Sequence, residues 1–452
     1  MSESPVVGLV DEGLGNSTYL VDLGDGRALV VDASRDLRAV RAAASRRGLT
    51  IAFAADTHLH ADFLSGSTQL AATDGATILA SAAGRRTFAH TALADGDEVD
   101  LGGLRLRALT TPGHTDEHVS FLLLDDGQPS GVFSGGSLIV NAAARTDLVD
   151  PARTEELARA QYQSLRRLAA LPDETTLWPT HGAGSFCSSP PGSSRTSTIG
   201  AERTSNPLLR AVDEDAFVQA LLGSLGSFPP YFHRLGEANR LGPPLLGNSL
   251  GLPTLVPWQV GALFAAGACL VDVRPVADYA AGHVAGALSI PLRDAFATWL
   301  GWVAPHDRPL IVMRRSDQDP DEILWQAAKI GYDNLVGELA DDLQAASAAG
   351  LGIARSQLVD AAHLGAFTVL DIRQHAEFAA GHIPGARNVE LGNLGAGAAE
   401  LPARPLAVMC GHGERGATAA SILERAGRRD VAVLVGGPDD WAAEHNVPLA
   451  TT

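Results

Sequence analysis

Two stretches of this chain carry side chains able to do chemistry. The first is THLHADFLSG, residues 57–66, with His58 and His60 one residue apart and Asp62 two further on. That spacing lets a loop converge its ligands on one cation. A third His would ordinarily extend the run, but Phe63 stands there. His114 follows a strand-like run in TTPGHTDEH, and His181 follows another in LWPTHGAGS. Strand ends along one edge of a sandwich can meet at a point, as a metal site requires.

The second stretch is CGHGERGA, 410–417, between the apolar run PLAVM and the helix-forming ATAASILERAG. Cys410 therefore ends a strand, in a loop with Gly411, Gly413 and Gly416, just before a helix. Backbone N–H groups of such a loop form an anion nest, and the helix dipole adds to it. Arg415 supplies a fixed charge to close the nest, and His412 and Glu414 complete the loop. This environment favours thiolate. A thiolate so held can accept a sulfur atom and keep the resulting persulfide anion.

The elements that must position these residues are readable. NSTYLVDLGDGRALVVDAS predicts a hairpin about Asp25-Gly26, and IAFAADT a buried strand running into the His pair. Short strands are expected at LRLRALT, VSFLLL, GVFSG and TTLWPT, with a helix over 153–170. Residues 188–207, rich in Ser, Pro, Gly and Thr, read as a linker, and 208–255 as a helical, loop-rich extension.

An internal repeat follows. LVDVRPVADYAAGHVAGALSIPL at 270–292 aligns with VLDIRQHAEFAAGHIPGARNVEL at 369–391, and RPLIVMRRSD at 308–317 with RPLAVMCGHG at 404–413. Strands alternating with helices predict two tandem α/β domains with parallel sheets. In the first copy Arg314 takes the Cys position and the loop glycines are gone. That copy should be catalytically silent.

With 452 residues the chain has room for three domains. The expected boundaries are 1–250 (188–250 being linker and extension), 251–350 and 351–452. The formal charge of -18 argues against nucleic acid and anionic membranes as partners. Three dispersed cysteines point to a reducing cytoplasm rather than a disulfide framework. The N-terminus lacks a signal-peptide pattern, and no run is long and apolar enough to span a bilayer.

LDIRQHAEFAAGHIPGARNV, VLVGGPDDW and CGHGER resemble the rhodanese family, over residues 256–345 and 355–452. The family moves sulfane sulfur through a Cys persulfide, and the six residues from Cys410 to Arg415 have its sulfur-transfer loop length. Asp371, Arg373 and His382 match it too, and are expected to be salt-bridged fold determinants. THLHAD, TPGHT, ARTDL, THGAGSFC and TSTIGAERTSNPLL resemble the persulfide dioxygenases. These are metallo-β-lactamase-fold cousins of the glyoxalase II hydrolases. The resemblance covers residues 1 to about 250 and implies an αββα sandwich.

That family oxidises a small thiol persulfide at a mononuclear iron held by two His and one Asp. His58 and His114 match the two His, but Gly136 stands where the Asp belongs. Asp62 and His181 match a neighbouring metal position, which loses its own His to Phe63. Three outcomes stand open. His58, His60 and His114 could hold iron(II) or zinc alone. Asp62, Asp116 or Glu117 could substitute as the carboxylate. Or the site could hold no metal. Arg145 matches a position near the thiol-substrate pocket, with an ion pair to Asp147 as the alternative.

The sequence therefore predicts a sulfurtransferase at Cys410, taking thiosulfate or a thiol persulfide, fused to a persulfide dioxygenase-like domain with an incomplete iron site. An active bifunctional enzyme, a zinc hydrolase and a non-catalytic persulfide-binding scaffold are the alternatives. A homo-oligomer is expected.

Overall fold

The computed structural model describes residues 4–187, 194–247, 251–340 and 342–452, so residues 188–193 of the expected linker lie outside it. The chain divides into two compact units. One is Met1–Ser249 with Ala328–Gly331; the other is Leu250–Ala327 with Tyr332–Thr452.

The first unit contains two six-stranded sheets. The hairpin about Asp25-Gly26 forms, pairing Asn16–Asp22 with Arg27–Val31 in antiparallel register, Tyr19 opposite Val31. Thr50–Asp56 lies parallel to Arg27–Val31 on one side and to Thr77–Ser81 on the other. In the second sheet Gln128–Gly135 runs antiparallel to Val119–Asp125 and parallel to Thr176–Pro179. Tyr19, Val31, Ala55 and Leu79 from one sheet pack against Leu106, Phe121 and Phe133 from the other.

Helices cover the outer faces. Arg38–Arg46 lays Val40, Ala43 and Ala44 on the first sheet. Thr154–Ala169, whose buried Leu157, Ala158, Leu165 and Leu168 fall at helical spacing, covers the second. This is an αββα sandwich.

The later part of the expected linker is not a tether. Ser197–Thr198 adds an edge strand beside Thr176–Pro179, and the Thr198 side chain caps the helix Ile199–Ser205. The extension is helical at Glu214–Gly223 and Phe232–Leu241. Thr254–Leu255, expected to close that extension, instead pairs with Glu338–Leu339 in the second unit.

The second unit holds two five-stranded sheets, ordered alike and parallel throughout. Their central strands, Leu310–Met313 and Leu406–Met409, are fully buried, as the unbroken apolar runs require. Among the described residues no helix is long and apolar enough to cross a membrane.

Candidate metal centre and cysteine loop

The sandwich ends its strands where the sequence places its histidines. Thr50–Asp56 stops just before His58, Arg105–Thr110 before His114, and Thr176–Pro179 before His181. A bridge between Asn16 and His181 ties the two sheets together at that edge. His58, His60, Asp62, His114 and His181 are all at most 2% exposed.

Hydrogen bonds set which ring nitrogens are bare. His114 Nδ1 donates to the Arg145 carbonyl at 2.7 Å, and its Nε2 has no partner. Thr57 Oγ1 donates to Asp32 at 2.7 Å, so it accepts from His58 Nδ1 at 2.9 Å. His181 Nδ1 donates to Asn16 Oδ1 at 3.0 Å, with Asp62 Oδ2 at 3.3 Å. The Nε2 atoms of His58 and His181 then face each other at 3.3 Å with lone pairs exposed. His60 gives Nε2 to Asp32 at 3.2 Å and leaves Nδ1 unpartnered. Fixing one nitrogen as donor makes the other a ligand.

Electrostatics favours the neutral ring at His58 and His114 but not at His60. Burial, then the surrounding imidazoles, holds His58 well below the usual histidine range. Burial and His181 bring His114 down to about 3. Burial works in the same direction on His60, but the Asp32 carboxylate outweighs it and His60 is raised.

The ligand atoms of His58, His60 and His181 lie within 4.8 Å of one another, and so do those of His114, His181 and Cys187. Among the described residues this is the donor chemistry of a metal centre. Asp32, Asp56 and His60 form a third such set. Asp32 is taken up by Thr57 and Thr180, and Asp56 by Ser65 and Ser67, so these carboxylates brace the site.

Among the described residues no two-His, one-carboxylate set is assembled. A Cβ built on Gly136 would lie 2.3 Å from the His114 ring, which occupies the space an Asp there would need. Asp116 is bound to Arg153, and Glu117 accepts the Leu59 N–H. Asp62 Oδ2 accepts from Asn16 Nδ2 at 2.8 Å, and although its Oδ1 is unpartnered it joins none of the convergent sets. Phe63, 1% exposed, stacks on His60 with ring centroids 4.1 Å apart and fills the place of the missing His.

Arg145 is not placed to meet a substrate. It is 4% exposed, and its guanidinium is taken up by Asp147, Phe186 O and Gly226 O. The ion pair with Asp147 is formed, and Arg145 acts through its backbone on His114. Sequence reasoning passed over His118, whose Nε2 accepts the Gly136 N–H at 3.0 Å and whose ring stacks on His58. TTPGHTDEH contains it, but nothing in the spacing sets it apart. Cys187, at the end of THGAGSFC, was likewise passed over.

In the second unit Cys410 ends Leu406–Met409 and the helix Glu414–Arg425 follows at once. The Gly413 N–H donates to Cys410 Sγ at 3.0 Å, with Gly413 at φ 103°, a conformation open to glycine. Cys410 is 1% exposed; Gly413 and Gly416 are buried, Gly411 and Glu414 half-buried, and His412 exposed. Arg415 departs from expectation. Its guanidinium forms a two-bond pair with Glu377, at 2.7 and 2.8 Å, and lies over the Trp299 ring of the first repeat at 5.5 Å. Burial disfavours that charge, but Glu377 outweighs it and Arg415 is raised.

The metallo-beta-lactamase superfamily matches residues 11–181, and the rhodanese-like domain matches 258–349 and 354–444. The chain thus joins a metallo-beta-lactamase superfamily domain to two rhodanese-like domains. A crystal structure of a metallo-beta-lactamase from Staphylococcus aureus subsp. aureus COL is similar over 75% of this chain and 99% of its own, with 29% identity and a TM-score of 0.66. The hydroxyacylglutathione hydrolase of Methylococcus capsulatus is 33% identical over 169 residues, 37% of this chain and 62% of that protein. The human mitochondrial persulfide dioxygenase ETHE1 is 29% identical over 217 residues, 46% of this chain and 76% of that one. The chain spans less than two thirds of the length of the hydroxyacylglutathione hydrolases it matches.

Proposed function

We propose that this protein handles sulfane sulfur, with Cys410 as the sulfur carrier. The thiolate attacks the outer sulfur of thiosulfate; that S–S bond breaks, sulfite leaves with the electron pair, and Cys410 keeps a persulfide. A small thiol then takes the sulfur and restores the thiolate. The observation that carries this reading is the Gly413 N–H held on Cys410 Sγ at the strand-to-helix turn, where an anion is stabilised. Cys410→Ser should abolish thiosulfate:acceptor sulfur transfer by the full chain. A variant that kept the native rate would remove the reading.

The N-terminal centre, on this reading, acts on the same class of small thiol persulfide or thioester as a metal-dependent site. A cleft of about 670 Å³ supports it. Leu59, Ala61, Thr115 and Glu117 line that cleft, each adjacent in sequence to a histidine of the cluster, and so do Arg85 and Arg240. His58, His60, His114 and His181 would hold a cation, which would supply Lewis acidity there. A nitrogen-rich set suits zinc at least as well as iron(II). Elemental mass spectrometry of the purified chain decides between them. Near-stoichiometric iron makes persulfide oxidation the leading activity, whereas zinc points to hydrolysis. His58→Ala should leave sulfur transfer at Cys410 unchanged.

A further inference from the structure

Cys187 is buried, free of any disulfide and absent from the sulfur-transfer loop. Its Sγ lies within 4.8 Å of the ligand atoms of His114 and His181. Since Gly136 offers no carboxylate and His114 Nε2 has no partner, this corner of the centre is short of an anionic donor.

One residue fixes both sides of the corner. Arg145 accepts from His114 Nδ1 through its carbonyl, and its N–H donates to the Cys187 carbonyl at 3.0 Å. Its guanidinium holds the Phe186 carbonyl, and Ser185 Oγ accepts the Cys187 N–H at 3.1 Å. His181 is pinned through Nδ1 by Asn16. Three donors are therefore held in place before any cation arrives, the condition for a tight site.

We propose that Cys187 is a metal ligand, its thiolate joining His114 and His181 in an N₂S set that takes a borderline or soft divalent cation, zinc in the first instance. The inference rests on the reading of the N-terminal domain as a metal centre and names the donor that replaces the missing carboxylate. Binding forms the metal–sulfur bond, breaks the S–H bond and releases that proton to solvent. A thiolate in the set replaces the carboxylate of the two-His, one-carboxylate coordination of iron(II) dioxygenases.

The test is cobalt(II) loading of the full chain. Thiolate bound to cobalt gives a near-ultraviolet charge-transfer band that imidazole and carboxylate do not. The native chain should bind cobalt and show the band. Cys187→Ser should lose it while still binding cobalt through the histidines, and Cys410→Ser and Cys269→Ser should keep it. Cobalt bound without the band, or a band that survives Cys187→Ser, overturns the thiolate inference and leaves the metal centre standing. A chain that binds no cobalt and no zinc overturns both.

Discussion

In the first rhodanese-like repeat the strand Leu310–Met313 runs into Arg314; in the second, Leu406–Met409 runs into Cys410. Around these points the two repeats are built alike. Arg274 pairs with buried Asp272 and donates to Gly282 O; Arg373 pairs with buried Asp371 and donates to Gly381 O. Tyr279 and His283 stack at 3.8 Å, and Phe378 and His382 at 3.7 Å. The loop is where their chemistry parts. Arg314 binds Glu338 and donates to Arg315 O and Gln318 O, so a cation and its own carboxylate occupy the position of the nucleophile. The shared Asp-x-Arg and Gly-His residues define a fold, and chemistry is a property of the loop set into it.

The harshest way to break that comparison is to move the nucleophile. In Cys410→Ser combined with Arg314→Cys, sulfur transfer should stay down by on the order of 10⁶-fold, the scale of removing a nucleophile. The first loop has no glycine to place an N–H on the new thiol as Gly413 does on Cys410. Recovery in a thiosulfate:cyanide assay would mean that any thiol at this strand end suffices.

The shared frame makes the next prediction. Asp272→Ala and Asp371→Ala each leave a guanidinium mostly buried without its carboxylate, and each should cost about 3–5 kcal/mol. Denaturant unfolding of the full chain reads both. A cost below about 1 kcal/mol in either repeat would mean that the pair is not part of its frame.

The metal centre offers a second contrast, since there the strand ends survive and the ligands have changed. Gly136→Asp does not simply restore a carboxylate, because the new Cβ meets the His114 ring at 2.3 Å. Crowding of this kind costs about 1–3 kcal/mol. The variant should melt earlier and hold no more iron than the native chain. A rise to stoichiometric iron without loss of stability would show that the His114 ring yields freely.

The sequence made the sandwich legible because its strands are short, apolar and end on histidines, and made the repeats legible because they copy each other. It also placed Cys410 on its strand–loop–helix. What it hid depends on side-chain direction. The Arg145 position in ARTDL reads as polar and available, yet packing turns it inward beside Phe228 and spends its N–H groups on Asp147 and backbone carbonyls. Arg415 reads as part of the loop, yet Glu377, 38 residues earlier in another helix, holds it. Cys187 sits six residues beyond His181 and far from His114 in sequence, and no spacing rule joins it to His114 until the Arg145 clamp folds them together.

The smallest predicted effect separates the two frames from each other. His283 donates Nδ1 to Tyr279 O at 2.9 Å, as His382 does to Phe378 O. But His283 also reaches Glu424 of the second repeat at 3.0 Å through Nε2, and Glu424 accepts the Gly286 N–H at 3.1 Å. Glu424 therefore joins the repeats, with Arg429 at 3.6 Å as the other nearby charge. Burial pushes the Glu424 carboxyl up, but the hydrogen bonds from His283 and Gly286 outweigh it and hold it below the usual range. A carboxyl depressed in the folded state stabilises above its unfolded value and loses that contribution as pH falls through the folded one. Glu424→Gln should thus cost about 1 kcal/mol or less near neutral pH, and the difference from the native chain should shrink as the solution is acidified past the carboxylate range. Unfolding free energies of the two chains at neutral and acid pH measure this. A difference that does not change with pH would assign the contact between the repeats to packing rather than to the carboxylate.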